Sequence, residues 1–255
     1  MNGPELAAAG RQACLAAGFA LGGAYLLKRQ GIDLLRETAT SLLRGSLQIA
    51  AMGLALGFLL RGGAFTSVPV MAGMALMAAR IAAQRLKALP SRHSIAMISI
   101  AAGAFPGIGL ALACGMISFR PAELLPVGSM ILAAAMNAVS QSLNHFVPDL
   151  VRRKASIETR LSLGATAAQA TADLASAAVR AGVLQQLNAL ASLGIVWIPG
   201  LMAGQILTGR PPLLSACLQF SAISLIAGAT ALSAFCAVTL ARRRLFDVKE
   251  ERFRN

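Results

Sequence analysis

The chain has 255 residues, of which 56% are hydrophobic and only 13% charged, with a formal net charge of +13, and its mean hydropathy is +0.68. A soluble domain needs more polar surface than this to cover its core, so the composition excludes a purely soluble protein. The positive charge does not point to nucleic acid, because Lys and Arg gather at the ends of apolar blocks, the pattern that orients membrane helices.

A bilayer-spanning helix takes about 20 mainly apolar residues, and about seven such blocks can be placed. They run at 6–27, 43–60, 65–83, 94–116, 124–146, 181–207 and 214–241. These blocks predict an all-α, polytopic integral membrane protein, with one transmembrane domain over 1–255. The first block follows Met-Asn-Gly-Pro-Glu, is interrupted by Arg11 and closes on Lys28-Arg29. With no basic stretch ahead of it, it reads as an uncleaved span rather than a secretory signal. Alternating the blocks across the bilayer puts 28–42, 84–93, 147–180 and 242–255 on one side. That side carries most of the Lys and Arg, and the other holds Arg11, Arg61, Arg120 and Arg210. Basic loops are cytoplasmic, which predicts the N-terminus outside and the C-terminus in the cytoplasm. Arg11 must snorkel outward or face protein.

In the third block Met71, Met74 and Met77 recur every three residues. Thioethers bind soft metals, but a methionine stripe at helical spacing reads as packing. The fifth block ends with Asn137, Gln141, Asn144 and His145, which fall on one stripe.

The connection at about 147–180 is too polar to span. Within it, Ile157 and Leu161 share a helix face, Gly164 is a poor helix interior residue, and Thr166 with Gln169 fits a capping box. A short helix, a sharp break near Gly164-Ala165 and a new helix after Thr166 are expected. Such a bent pair on the cytoplasmic face can present a rigid corner to a partner. An ordinary surface connection with a solvated Glu158 fits the same residues.

The sixth block opens with Gln185, Gln186, Asn188 and Ser192 and contains Trp197-Ile198-Pro199-Gly200-Leu201-Met202-Ala203-Gly204-Gln205. Polar side chains in lipid are costly unless paired, so both polar stripes should face protein or water. Pro199 and Gly200 break the helix and free a carbonyl, which makes this span a candidate pathway element. The pathway candidates are therefore Asn137, Gln141, Gln185, Asn188, Pro199, Gly200, Met202 and Gln205. Gly18/Gly22, Gly53/Gly57, Gly103/Gly107 and Gly200/Gly204 match the spacing of close helix contacts.

Cys14, Cys114, Cys217 and Cys236 have no metal or redox spacing and read as small buried apolar residues, so no metal site is expected. None of Lys28, Lys87, Lys154 and Lys249 follows a glycine, so the usual phosphate-binding loop is absent. No acid falls well inside a block, where an ion-coupled carrier commonly buries one. The chain is therefore expected to be a non-enzymatic membrane component that draws its energy from elsewhere.

Three blocks carry a family resemblance. They are Leu161-Ser162-Leu163-Gly164-Ala165-Thr166 with Gln169-Ala170, Ile198 to Leu207 followed by Gly209, and Ala229-Thr230-Ala231-Leu232-Ser233 with Ala241 to Phe246. From Glu158 to Phe246 the chain resembles the FetB-type permeases of bacterial iron-export ABC transporters, which include plant aluminium-tolerance permeases. The resemblance implies a multi-pass permease of the bacterial inner membrane, with iron or another metal ion as its export substrate. It implies a homodimer of permeases working with a separate cytosolic ABC ATPase, no nucleic acid, and no cofactor on this chain, ATP being held by the partner. Glu158, Leu163, Gly164, Ala165 and Thr166 would then couple to the ATPase. The chain departs from the family pattern at Val183-Leu184-Gln185-Gln186 and at Ser129-Met130 and Ala133-Ala134. From the residues alone, a carrier driven by an ion gradient and a non-transport membrane scaffold stay open.

Overall fold

The computed structural model describes residues 3–59, 64–86 and 91–246. Lys87, Arg61 and the basic residues Lys249, Arg252 and Arg254 lie outside these ranges. The described residues fall into two compact units, within Met1–Arg61 and within Gly62–Asn255. In the first, α1 (Gly3–Arg29) and α2 (Leu35–Leu59) pack as a helical pair. Lys28 and Arg29 occupy the last turn of α1, where positive charge complements the helix dipole.

The second unit begins with a 3₁₀ turn (Ala64–Thr66) and continues through α3 (Ser67–Arg85), α4 (Arg92–Ala113), α5 (Pro121–Arg152), α6 (Lys154–Ser162), α7 (Ala167–Ala170), α8 (Ala172–Ser192), α9 (Gly200–Leu207) and α10 (Pro212–Leu245). No strand occurs among the described residues, where Leu193 and Trp197 form an isolated bridge. Ser67–Gln84, α4, α5 and α10 are each long and apolar enough to cross a membrane. The fold is thus the expected all-α membrane architecture.

The expected span at 181–207 is not one helix. α8 ends at Ser192, seven irregular residues follow, and α9 starts at Gly200. The break therefore begins before Pro199, at Gly194, whose φ of +78° lies in the left-handed region. Pro199 stands ahead of the first turn of α9 rather than inside a helix, a position where its missing N–H costs nothing.

α10 is the hub of the second unit and packs against α4, α5, α8 and α9. Its buried face is rich in small residues, including Ala222, Ala229, Ser233, Ala234, Ala237 and Ala241. Small side chains let helix backbones approach closely, which favours association where lipid offers no hydrophobic drive. The nearest approach is at Gly103 of α4, where a methyl group would overlap the Ser233 hydroxyl and the Ala229 carbonyl. Gly107 adds ordinary contact with Ala229, whereas Gly18, Gly22, Gly53, Gly57, Gly200 and Gly204 have open space around them. Met71 is buried against Gly128 of α5, so this thioether packs, while Met77 is exposed. Cys14, Cys114 and Cys217 are exposed rather than buried; Cys217 lies on the spanning helix α10, where an apolar residue can face lipid as readily as core.

Gly103→Ala is expected to destabilise the folded protein by about 1–3 kcal/mol through overpacking. Gly200→Ala should cost far less. Thermal unfolding of the two variants in the same detergent checks the contrast.

Candidate functional site

Two features of the second unit bring some of the expected site residues together. The first is a bend at one end of α5. α6 carries the buried Ile157 and the half-buried Leu161 on one face, as expected from their spacing. It ends at Gly164, whose φ is +89°. The Gly164 N–H donates to the Leu161 carbonyl at 3.0 Å and the Ala165 N–H to the Arg160 carbonyl at 3.0 Å. This pair of bonds is the Schellman turn that closes a helix on a left-handed residue. Two residues later Thr166 caps α7: its side chain accepts from the Gln169 N–H at 3.3 Å, and Gln169 Oε1 accepts from the Thr166 N–H at 2.9 Å. The Leu-Gly-Ala-Thr run thus ends one helix and starts the next. Leu163 at its tip is 81% exposed, and Gly164, Thr166 and Glu158 are exposed as well. Glu158 Oε1 is 3.8 Å from Lys154 Nζ, one turn away on α6.

A charged knot, invisible in the sequence, sets the angle of this elbow. Asp173 in the first turn of α8 meets Arg160 Nη1 of α6 at 3.3 Å and Arg153 Nη1 at 3.7 Å. Arg153 is the residue joining α5 to α6. Arg160 Nη1 also donates to the Ala170 carbonyl at 3.1 Å. One carboxylate and one guanidinium therefore tie α6, α7 and α8 together. Partial burial pushes the Asp173 carboxyl up, but the Leu174 N–H, the Arg160 guanidinium and the Asp173 N–H outweigh it and hold the group below its ordinary value. The partners are all about half exposed, and such pairs contribute only about 0–1 kcal/mol each. The knot consequently fixes direction more than it adds stability.

The second feature is a polar seam between α5 and α8. The two helices approach most closely at Gly182, where a methyl group would overlap Ser142 Oγ. Beside this contact Gln141 Nε2 donates to Gln185 Oε1 at 3.1 Å. A small cavity of about 140 Å³ is lined by Asn137, Gly182, Gln185 and Gln186, with Thr230 of α10. Asn137, Gln141 and Gln185 are thus brought together. Asn188 is exposed one turn from Gln185 and outside that cavity. Pro199 is buried, Gly200 exposed and Met202 half-buried. Gln205 lines a different cavity, between α5, α9 and α10. Among the described residues no three His, Cys, Asp or Glu side chains cluster as a metal site.

The sequence reading missed Arg153, Arg160 and Asp173, which lie too far apart for helical spacing to pair them. It also missed Gly182 and Thr230, which matter only once α8 and α10 dock on α5.

Spanning helices, a capped elbow outside them and a polar seam inside them define a polytopic α-helical membrane protein. The chain belongs to the family described as "Uncharacterised protein family (UPF0014)", which it matches over residues 11–246. It is 30% identical over 233 residues to the UPF0014 membrane protein slr1647 of Synechocystis, covering 89% of each chain. It is 28% identical over 170 residues to the probable iron export permease protein FetB of Escherichia coli, covering 67% of this chain and 66% of that one. Protein ALUMINUM SENSITIVE 3 of Arabidopsis thaliana is 26% identical over 212 residues, which is 83% of this chain and 78% of the relative. No solved structure matches the chain.

Arg160→Ala and Asp173→Asn are each expected to speed amide exchange across 154–170 with little change in thermal stability. The pH dependence has a definite sign. A carboxyl held low in the folded state contributes above its ordinary value and loses that contribution as pH falls through the lowered one. Protection of the elbow amides, corrected for the pH dependence of intrinsic exchange, should therefore be flat across neutral pH and fall only in acid.

Proposed function

We propose that the chain is the permease subunit of an ABC transporter that exports iron or another metal ion across the bacterial inner membrane. ATP is hydrolysed on a separate cytosolic ATPase subunit, and this chain holds no cofactor of its own. The observation that carries the reading is the polar seam on a spanning helix that leads directly to the elbow. Asn137 and Asn188 are exposed on the single chain, and an amide left in hydrocarbon without a partner costs about 1–3 kcal/mol. The seam accordingly faces a watery path or a second copy, and a homodimer of permeases supplies both. Asn137 lies about 22 Å along α5 from Arg152, at 1.5 Å per residue, so the seam and the elbow share one rigid element.

The elbow lies on the cytoplasmic side with the C-terminus, and the N-terminus is outside. Exposed Leu163 and the turn at Gly164 dock against the ATPase. When the ATPase pair closes on ATP, the elbow moves with it. Because only Thr171 separates α7 from α8, that motion reaches Gln185 and opens the seam. The FetB relative supports the assignment of metal export, and both units act as one transmembrane permease domain.

Gly164→Val tests the lever, since φ of +89° is strained for any residue with a Cβ. The variant should insert normally and leave ATP hydrolysis running while ATP-dependent metal efflux into inverted vesicles falls at least about tenfold, the equivalent of 1.4 kcal/mol. A cysteine at Leu163 should cross-link to the ATPase subunit. Undiminished efflux in Gly164→Val, or efflux driven by an ion gradient with no ATPase present, overturns the reading.

A further inference from the structure

A second cavity, of about 410 Å³, lies at the end of α5 opposite the elbow and is lined by residues that include Ala122, Glu123, Pro126, Gln205, Thr208 and Arg210. α5 has 32 residues and is about 48 Å long at 1.5 Å per residue, so the two sites stand on opposite sides of a bilayer core. α9 ends here on Gly209, at φ +90°. The Gly209 N–H donates to the Ile206 carbonyl and the Arg210 N–H to the Gln205 carbonyl, each at 3.0 Å. This turn folds Arg210 back beside Gln205.

The oxygens on the cavity wall are short of donors. Gln205 Oε1 is buried and accepts no hydrogen bond. The Pro126 ring removes the N–H that would pair with the Ala122 carbonyl four residues earlier. On α10, one turn from the lining residue Ala222, Gln219 is 1% exposed and neither of its amide atoms is paired. Glu123 is distinctive among carboxylates. The described acids of this unit are Glu123, Asp149, Glu158 and Asp173. Asp149, Glu158 and Asp173 are at the elbow and form ion pairs with Arg152, Lys154 and Arg153/Arg160. Glu123 forms no ion pair among the described residues. Its Oε2 accepts from the Ser118 N–H at 2.8 Å, and Arg210 and Arg120 act on it only at a distance.

We propose that this cavity is a low-affinity way station for a hydrated divalent cation, held by the Glu123 carboxylate and Gln205 Oε1 and weakened by Arg210. It rests on the reading of the chain as a metal exporter and gives that reading an exit-side stop. Carboxylate, amide and carbonyl oxygens are the ligands of hard divalent ions, which readily keep several waters. One acid and one amide are too few to hold such an ion tightly. The Arg210 guanidinium repels the ion from a distance. A site so composed accepts an ion from the path and releases it, as the outward end of an exporter requires.

The test needs no ATPase. Mn²⁺ is titrated against the full chain in lipid nanodiscs and followed by the loss of the free-ion EPR signal. Arg210→Gln should tighten Mn²⁺ binding about tenfold or more, and Arg210→Lys, which keeps the charge, should not. Adding Glu123→Gln or Gln205→Leu to Arg210→Gln should remove the gain. No Mn²⁺ binding by Arg210→Gln, or tight binding that survives loss of Glu123, overturns the way station. ATP-dependent metal efflux by the same variants reports on the exporter reading separately: efflux that persists without the site rejects the way station alone, and efflux absent even from the native chain with its ATPase rejects the exporter.

Discussion

Hydrocarbon offers no water to a polar group, and this constraint organises the second unit of the protein. A backbone N–H or carbonyl inside the bilayer must be paired within its helix or open onto something wet. Polar side chains obey the same rule less strictly. The rule explains why α4, α5 and α10 are continuous over their spanning windows. It also explains why the irregular stretch between α8 and α9 matters. Its seven residues keep only a few bonds back to the end of α8, such as the Val196 N–H to the Ser192 carbonyl at 3.0 Å, and α9 beyond it packs on α10.

The same constraint sorts the polar side chains by how they are satisfied. Thr230 and Ser215 bond to carbonyls one turn back on α10 and are satisfied within their own helix. Gln141 and Gln185 satisfy each other across a helix interface. Asn137 and Asn188 have no comparable bond among the described residues and are exposed. The seam therefore grades from paired at Gln141 and Gln185 to open at Asn137 and Asn188.

The elbow works by different physics, because it is outside the apolar windows and water satisfies its polar groups. Its stiffness comes from backbone geometry at Gly164, reciprocal capping at Thr166 and Gln169, and a carboxylate shared by two arginines. None of these is strong alone. Together they leave few ways to change the angle between α6 and α8 without breaking several bonds at once.

Much of this was legible from local sequence. The apolar blocks at 65–83, 94–116, 124–146 and 214–241 fall on the four described helices long and apolar enough to span, and a glycine followed by a Thr-x-x-Gln run gave the elbow's turn and cap, because the causes of both lie within a few residues. Hydropathy missed the break at Gly194, since Ile195, Val196, Trp197 and Ile198 are as apolar as any helix; only backbone conformation marks it. The chain alone could not show that Gly103 and Gly182 are contact points while Gly200 and Gly204 are open, or that Asp173 gathers arginines from Arg153 and Arg160. It could not bring Glu123, Gln205 and Arg210 to one cavity either. Those relations depend on how whole helices cross, and crossing is set by the summed packing of distant faces rather than by any residue's neighbours in sequence.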